Sequence, residues 1–351
     1  MAETVFEQLA AALDRLPNGF PRTASGVELR ILQKLFSTEE AALASQLTGS
    51  SEPLDEIAPR TDLSPSDVSK GLFKLARRGV VWLDKREGKV CFRLAPFVVG
   101  IYESQAELLD HELAHLIEDY FAGGGAEGIM KPQPALQRVI PAHGAIKSEW
   151  VLPYDDVRQI LLEAKTYNVI DCICRKQQGL LDQPCDFPLH VCLNFSDQER
   201  TPREGDVSRE EALALLDRCE DIGLVHAVSN VRKGMGYVCN CCGCCCGILR
   251  GITAYGIEES IAHANYYAVI DSEFCANCGN CIERCQVHAI SEGESSSVVD
   301  LERCIGCGLC VTGCPNDVAR LVRKAEAEWI HPPEDYSAWE HERMYNRGFS
   351  T

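Results

Sequence analysis

Apolar residues recur at helical spacing over residues 5–16, and Pro17-Asn18-Gly19 ends that run. A second periodic stretch covers 26–36. Ser37-Thr38-Glu39-Glu40 follows with the pattern of a capping box, so another helix is expected to start there. Residues 54–59 form a short segment. Ser64-Pro65-Ser66-Asp67 predicts a helix to residue 78, with Ser64 as cap, Pro65 in the first turn and Gly79 as the stop. Apolar 80–83 and 90–94 flank polar 84–89, the pattern of a β-hairpin. Residues 102–121 are helical in pattern, Gly123-Gly124-Gly125 reads as a flexible joint, and a proline-containing connection runs to about residue 150.

Further on, a helix over 154–166 feeds Val169-Ile170, which delivers Cys172 and Cys174. Ser208 and Glu211 open a second capped helix, followed by Gly223-Leu224-Val225-His226 and by Tyr237-Val238 just before another cysteine cluster. Helix, strand and cysteines thus follow one another twice. Short strands are expected at 267–271 and 297–300, and helices from Ile282 and Val311. The order of helices and hairpin over 25–100 resembles a winged-helix domain. The expected fold is α+β and multidomain: a winged-helix-like N-terminal domain (1–100), a helical connector (101–152), a cysteine-rich α/β middle domain (153–265), a domain (266–324) whose two cysteine runs, from Cys275 to Cys285 and from Cys304 to Cys314, resemble those of a dicluster ferredoxin-like domain, and a tail (325–351). The tail carries Trp329, Pro332-Pro333, Tyr336 and Trp339 and is expected to wrap a surface or a partner.

Composition changes this picture in one respect. The 351 residues include 20 cysteines, and they are clustered. The start lacks the basic and apolar regions of a signal peptide, and no stretch nears the roughly 20 apolar residues of a membrane span. A reducing compartment, the cytoplasm, is therefore expected, where clustered thiols serve as metal ligands rather than disulfides. A net charge of −18 disfavours nucleic-acid or anionic-membrane binding by the whole chain and suits steering toward a basic patch on a redox partner.

Two cysteine runs stand 29 residues apart: Cys275, Cys278, Cys281 and Cys285, then Cys304, Cys307, Cys310 and Cys314. Both read C-x₂-C-x₂-C-x₃-C and resemble the bacterial two-cluster ferredoxin run. The resemblance implies two [4Fe–4S] clusters with crossed ligation, one on Cys275, Cys278, Cys281 and Cys314, the other on Cys304, Cys307, Cys310 and Cys285. Gln286 stands where the pattern has proline. Paired zinc knuckles are the alternative.

Two more constellations lie between residues 172 and 246. Cys172, Cys174, Cys185 and Cys192 are close enough in sequence to serve one centre, a further [4Fe–4S] cluster or a tetrahedral Zn²⁺, with His190 as a substitute ligand and Arg175 and Lys176 beside it. Cys239, Cys241, Cys242, Cys244, Cys245 and Cys246 place six thiols in eight residues, too many for simple packing. Some of these would complete the site begun by Cys172 and Cys174. Cys241-Cys242-Gly243 resembles the Cys-Cys-Gly element of heterodisulfide-reductase-type subunits, which implies a non-cubane cluster. Cys91 and Cys219 read as small buried hydrophobes. The layout as a whole resembles an uncharacterised group of anaerobe iron–sulfur proteins.

Three functions compete. The first is a carrier or adaptor subunit passing electrons between redox partner proteins in an oxidoreductase complex. The second is a redox-responsive DNA-binding regulator, because residues 60–93 hold nine basic residues against four acids. The third is an oxidoreductase with a catalytic middle-domain cluster. No nucleophile triad, phosphate loop or flavin fingerprint supports other chemistry, and no catalytic residue is assigned.

Overall fold

The computed structural model describes residues 4–349. Helix makes up 40% and strand 17%, and the strands fall into four separate sheets, so the fold is mixed rather than layered α/β. Two compact units emerge. One comprises residues up to Pro132 with 177–184 and 340 onward; the other comprises 133–176 and 185–339. This division cuts the expected connector 101–152 and the expected tail 325–351.

In the first unit, helix α1 (Val5–Asp14) begins with a capping box made by Thr4 and Glu7. Helices α2 (Val27–Leu35) and α3 (Thr38–Ala44) follow, the second capped reciprocally by Ser37 and Glu40. Strand β1 (Glu52–Pro53), α4 (Leu54–Ile57), α5 (Pro65–Arg77), β2 (Val81–Arg86) and β3 (Lys89–Leu94) come next. The three strands form an antiparallel sheet in the order β1-β3-β2. Glu87 and Gly88 both take positive φ, 52° and 80°, as a two-residue hairpin turn requires.

The expected helix over 102–121 is interrupted: a 3-10 turn (Tyr102–Gln105) precedes α6 (His111–Tyr120), which Asp110 caps. The triple glycine is not a free joint. It forms the kink between α6 and α7 (Ala126–Met130), with Gly124 at φ 110°, and a β-carbon on Gly125 would lie 2.6 Å from the Tyr120 ring. Phe20, Phe97 and Tyr120 pack ring to ring in this core. The fully buried Arg343 donates to the carbonyls of Pro17, Ile129 and Pro132.

The second unit is built on a five-stranded antiparallel sheet. Its strands are β4 (Gln137–Ile140), β5 (Thr166–Asp171), β6 (His190–Ser196), β7 (Val225–Ser229) and β8 (Tyr237–Cys241), in the order β4-β7-β8-β6-β5. Helices α8 (Val157–Glu163), α9 (Ile173–Leu180, its last turn in the first unit) and α10 (Arg209–Asp221) lie between these strands in the chain, and α11 (Leu249–Thr253) follows β8. Val169, Leu193, Phe195 and Val238 point from the sheet into a core closed by Leu161, Leu215 and Leu216. Alternating burial in β6 puts Val191, Leu193 and Phe195 on that inner face.

The C-terminal part of this unit holds β9 (Tyr266–Ile270), α12 (Asn280–Glu283), β10 (Ile290–Glu292), β11 (Ser297–Val299), α13 (Leu309–Thr312) and β12 (Ala319–Arg323). β9 pairs with β12 and β10 with β11, each antiparallel. The short helices begin two residues earlier than the pattern predicts, because Gly279 and Gly308 take left-handed N-cap conformations, φ 81° and 77°. Helix α14 (Tyr336–Asn346) ends the fold.

Candidate metal centres

The 29-residue repeat reappears in the backbone. Asn277 and Gly306, Gly279 and Gly308, and His288 and Asp317 are equivalent pairs, and all six residues have φ between 48° and 81°. These left-handed turns curl each C-x₂-C-x₂-C loop so that its three thiols face inward. Gly306 is obligatory on a second count, since a β-carbon there would lie 2.3 Å from the Tyr266 carbonyl oxygen.

Each loop receives its fourth cysteine from the other run. Cys275, Cys278, Cys281 and Cys314 line one recess of about 320 Å³, and Cys304, Cys307, Cys310 and Cys285 line another of about 320 Å³. Backbone N–H groups point at the sulfurs: Asn277 at Cys275 (3.4 Å) and Ala289 at Cys285 (3.1 Å). Burial pushes the Cys310 thiol up to about 12 and raises Cys307 and Cys285 as well. Burial also acts on Cys314, but N–H groups of Asn316, Ala319 and Val318 bring it below its ordinary value. Two cradles of four converging thiols each fit bound iron–sulfur clusters.

Apart from Cys219, the ten cysteines between 172 and 246 divide differently from their order in sequence. Cys185 leaves the company of Cys172, Cys174 and Cys192 and joins Cys242, Cys244 and Cys245. These four sulfurs all lie within 4.8 Å of one another, with Cys244 and Cys245 at 3.6 Å. The other six make a ring of neighbouring sulfurs. Cys172 is a neighbour of Cys174 and Cys192, Cys246 of Cys174 and Cys241, and Cys239 of Cys192 and Cys241.

The sheet explains this ring. Cys239 and Cys241 are alternate residues of β8 and share a face, and the register Leu193↔Val238 puts Cys192 of β6 beside Cys239. Cys172 and Cys174 sit where β5 turns into α9, and Cys246 sits just before α11.

Arg175 stands between the two sulfur sets. Its guanidinium donates to the Pro188 and Asn240 carbonyls and lies beside Cys242. Burial alone would lower its pKa, but Cys172, Cys242 and Cys241 hold it above the ordinary arginine value. His190, the proposed substitute ligand, is exposed and pairs with Asp171 at 3.0 Å. Cys91 and Cys219 are buried, Cys91 in β3 and Cys219 in α10, and burial pushes the Cys219 thiol up to about 12.

Gln286 does more than fill the place of a proline. Its side chain accepts from the Gly243 N–H (2.9 Å) and donates to the Gly223 carbonyl (2.9 Å). Gly243 sits so close that a β-carbon there would lie 1.8 Å from the Gln286 carbonyl oxygen. The loop of Cys242, Cys244 and Cys245 is thereby held against the Cys285 end of the ferredoxin run. The departure from the proline pattern was the one signal of this contact in the sequence.

Residues 268–321 match the family model of the 4Fe-4S dicluster domain, so the chain carries a C-terminal ferredoxin-type domain. The chain matches no curated protein. Among the described residues no helix is long and apolar enough to cross a membrane.

Proposed function

We propose that the protein is an iron–sulfur electron-transfer protein, a carrier or adaptor subunit of a redox complex, with two [4Fe–4S] clusters in its ferredoxin domain and further metal in its middle segment. The crossed lining of two equal recesses by the two cysteine quartets carries this reading. Cys275, Cys278, Cys281 and Cys314 would hold one cluster, and Cys304, Cys307, Cys310 and Cys285 the other. When bound, each cluster supplies a one-electron couple. The chain contributes the thiolates, the burial that limits solvent access, and the N–H groups of Asn277 and Ala289, whose bonds to sulfur favour the more negative, reduced state. The contact of Gly243 with Gln286 supports a path from the middle segment to the Cys285 quartet.

The sheet order β1-β3-β2 behind α5 supports a winged-helix reading of the N-terminal unit. Its basic residues favour protein docking over DNA. Arg60 pairs with Glu52, Lys70 with Asp67, Lys74 and Arg78 with Glu40, Lys89 with Asp55, and Arg93 with Asp84 and Glu340. Such neutralisation leaves little of the local excess that phosphate binding needs. Work in the reducing cytoplasm accords with this use of thiols.

The test is an anaerobic count of iron and acid-labile sulfide on the full chain. About eight irons or more per chain are expected, and fewer than about eight after full reconstitution would refute the reading.

A further inference from the structure

The ten clustered cysteines of the middle segment, Cys219 aside, differ in spacing, and the spacing separates them chemically. We propose that they serve two unlike centres: Cys185, Cys242, Cys244 and Cys245 hold one tetrahedral zinc ion, while Cys172, Cys174, Cys192, Cys239, Cys241 and Cys246 hold a polynuclear iron–sulfur centre with more cysteine ligands than a cubane takes. This inference rests on the iron–sulfur reading above and adds the number and kind of the remaining centres.

The four-thiol set is spaced for a single ion. Zn–S bonds of about 2.3 Å place tetrahedral sulfurs about 3.8 Å apart. The Cys244–Cys245 distance is 3.6 Å and every pair is within 4.8 Å. Among the described residues no other group of three or more metal-ligating side chains is so compact. The ferredoxin quartets are not, as expected where each thiolate binds a different iron of one cube. Four thiolates complete a tetrahedron and leave no open position, so the ion is structural. It would pin the segment after α9 to a loop nearly 60 residues further on.

The six-thiol ring exceeds any single-ion site. A tetrahedral ion takes four thiolates, and a [4Fe–4S] cube takes four. Here six sulfurs follow one another in a closed circuit, 172-174-246-241-239-192, delivered by two neighbouring strands and two helix starts. Cys172, Cys241 and Cys246 are buried. A donor already faces the ring: the Gln137 side-chain amide lies 3.7 Å from the Cys239 sulfur. Arg175 sets a cation between two sites that are both anionic when loaded.

The experiment uses the full chain produced anaerobically with iron, sulfide and zinc supplied. Zinc and iron are counted, and zinc K-edge X-ray absorption is recorded on the wild type. One zinc with four sulfur neighbours at about 2.3 Å, together with clearly more than about eight irons, is expected. Cys244→Ser, at the exposed rim of its site, should lose the zinc and keep the iron. Cys241→Ser should bring iron down toward about eight and keep the zinc.

Zinc absent, or zinc with nitrogen or oxygen neighbours, overturns the four-thiol assignment. Iron at about eight beside a zinc overturns the six-thiol assignment while the ferredoxin reading stands. Iron well below about eight removes the ferredoxin reading itself. The wild-type counts and spectrum decide these points even if a variant does not fold.

Discussion

Asn277 and Gly306 occupy the same place in the repeat and share a left-handed conformation, yet they differ in what surrounds them. A side chain at 306 would meet the Tyr266 carbonyl, whereas 277 already carries one. Gly306→Ala therefore combines a left-handed strain of about 1–2 kcal/mol with an overpacking cost of about 1–3 kcal/mol. Its midpoint in denaturant should fall accordingly and its iron content should drop. Asn277→Gly should shift the midpoint by less than about 1 kcal/mol, and equal losses in the two variants would show that the repeat is not asymmetric in this way. The eight ferredoxin cysteines are legible from sequence because their spacing is local and self-repeating. The transfer of Cys185 to Cys242, Cys244 and Cys245 is not legible, since it depends on how a strand pair folds a distant loop back.

At the scale of elements, capping chemistry is the most readable feature. Ser37 with Glu40 and Ser208 with Glu211 make the reciprocal bonds that their sequence pattern implies. Ser208→Ala should destabilise the unit bearing α10 by about 1 kcal/mol in chemical denaturation; no change would mean that packing alone holds the helix start. Hydrogen bonds from the Ser208 backbone and hydroxyl hold the Glu211 carboxyl below its ordinary 4.5. Because the folded-state value is the lower one, this contribution is present above pH 4.5 and fades as pH falls through the depressed value. In an acid titration the gap between wild type and S208A should narrow at the low end without closing, because the Ser208 hydroxyl still accepts from the Glu211 N–H.

Strands β4 and β6 are harder to read. Gln137–Ile140 is short and holds a buried arginine, Arg138, paired with Asp155, while His190-Val191-Cys192 reads first as a ligand motif. The order β4-β7-β8-β6-β5 joins residues far apart in the chain, and no local pattern encodes it.

For the whole molecule, metal dependence should be lopsided. Cys91 is the one cysteine of the first unit, and every other cysteine of the chain lies in the second. Two-stranded sheets such as β9–β12 and β10–β11 are marginal alone. Stripping the metals with acid and chelator should therefore abolish hydrogen-exchange protection in residues 266–323 while amides of α1, α2 and α6 stay protected. Uniform loss of protection would contradict this division.

The crossed quartets also bear on how such a protein is made. A nascent chain reaching residue 303 carries three thiols of the first recess and one of the second, Cys285. The second quartet is complete with Cys310, the first with Cys314. Whatever loads this domain meets no finished nest until the second run reaches Cys310. Maturation of either recess therefore waits for the second run, and chains cut short within it before Cys314 leave the first recess one thiol short.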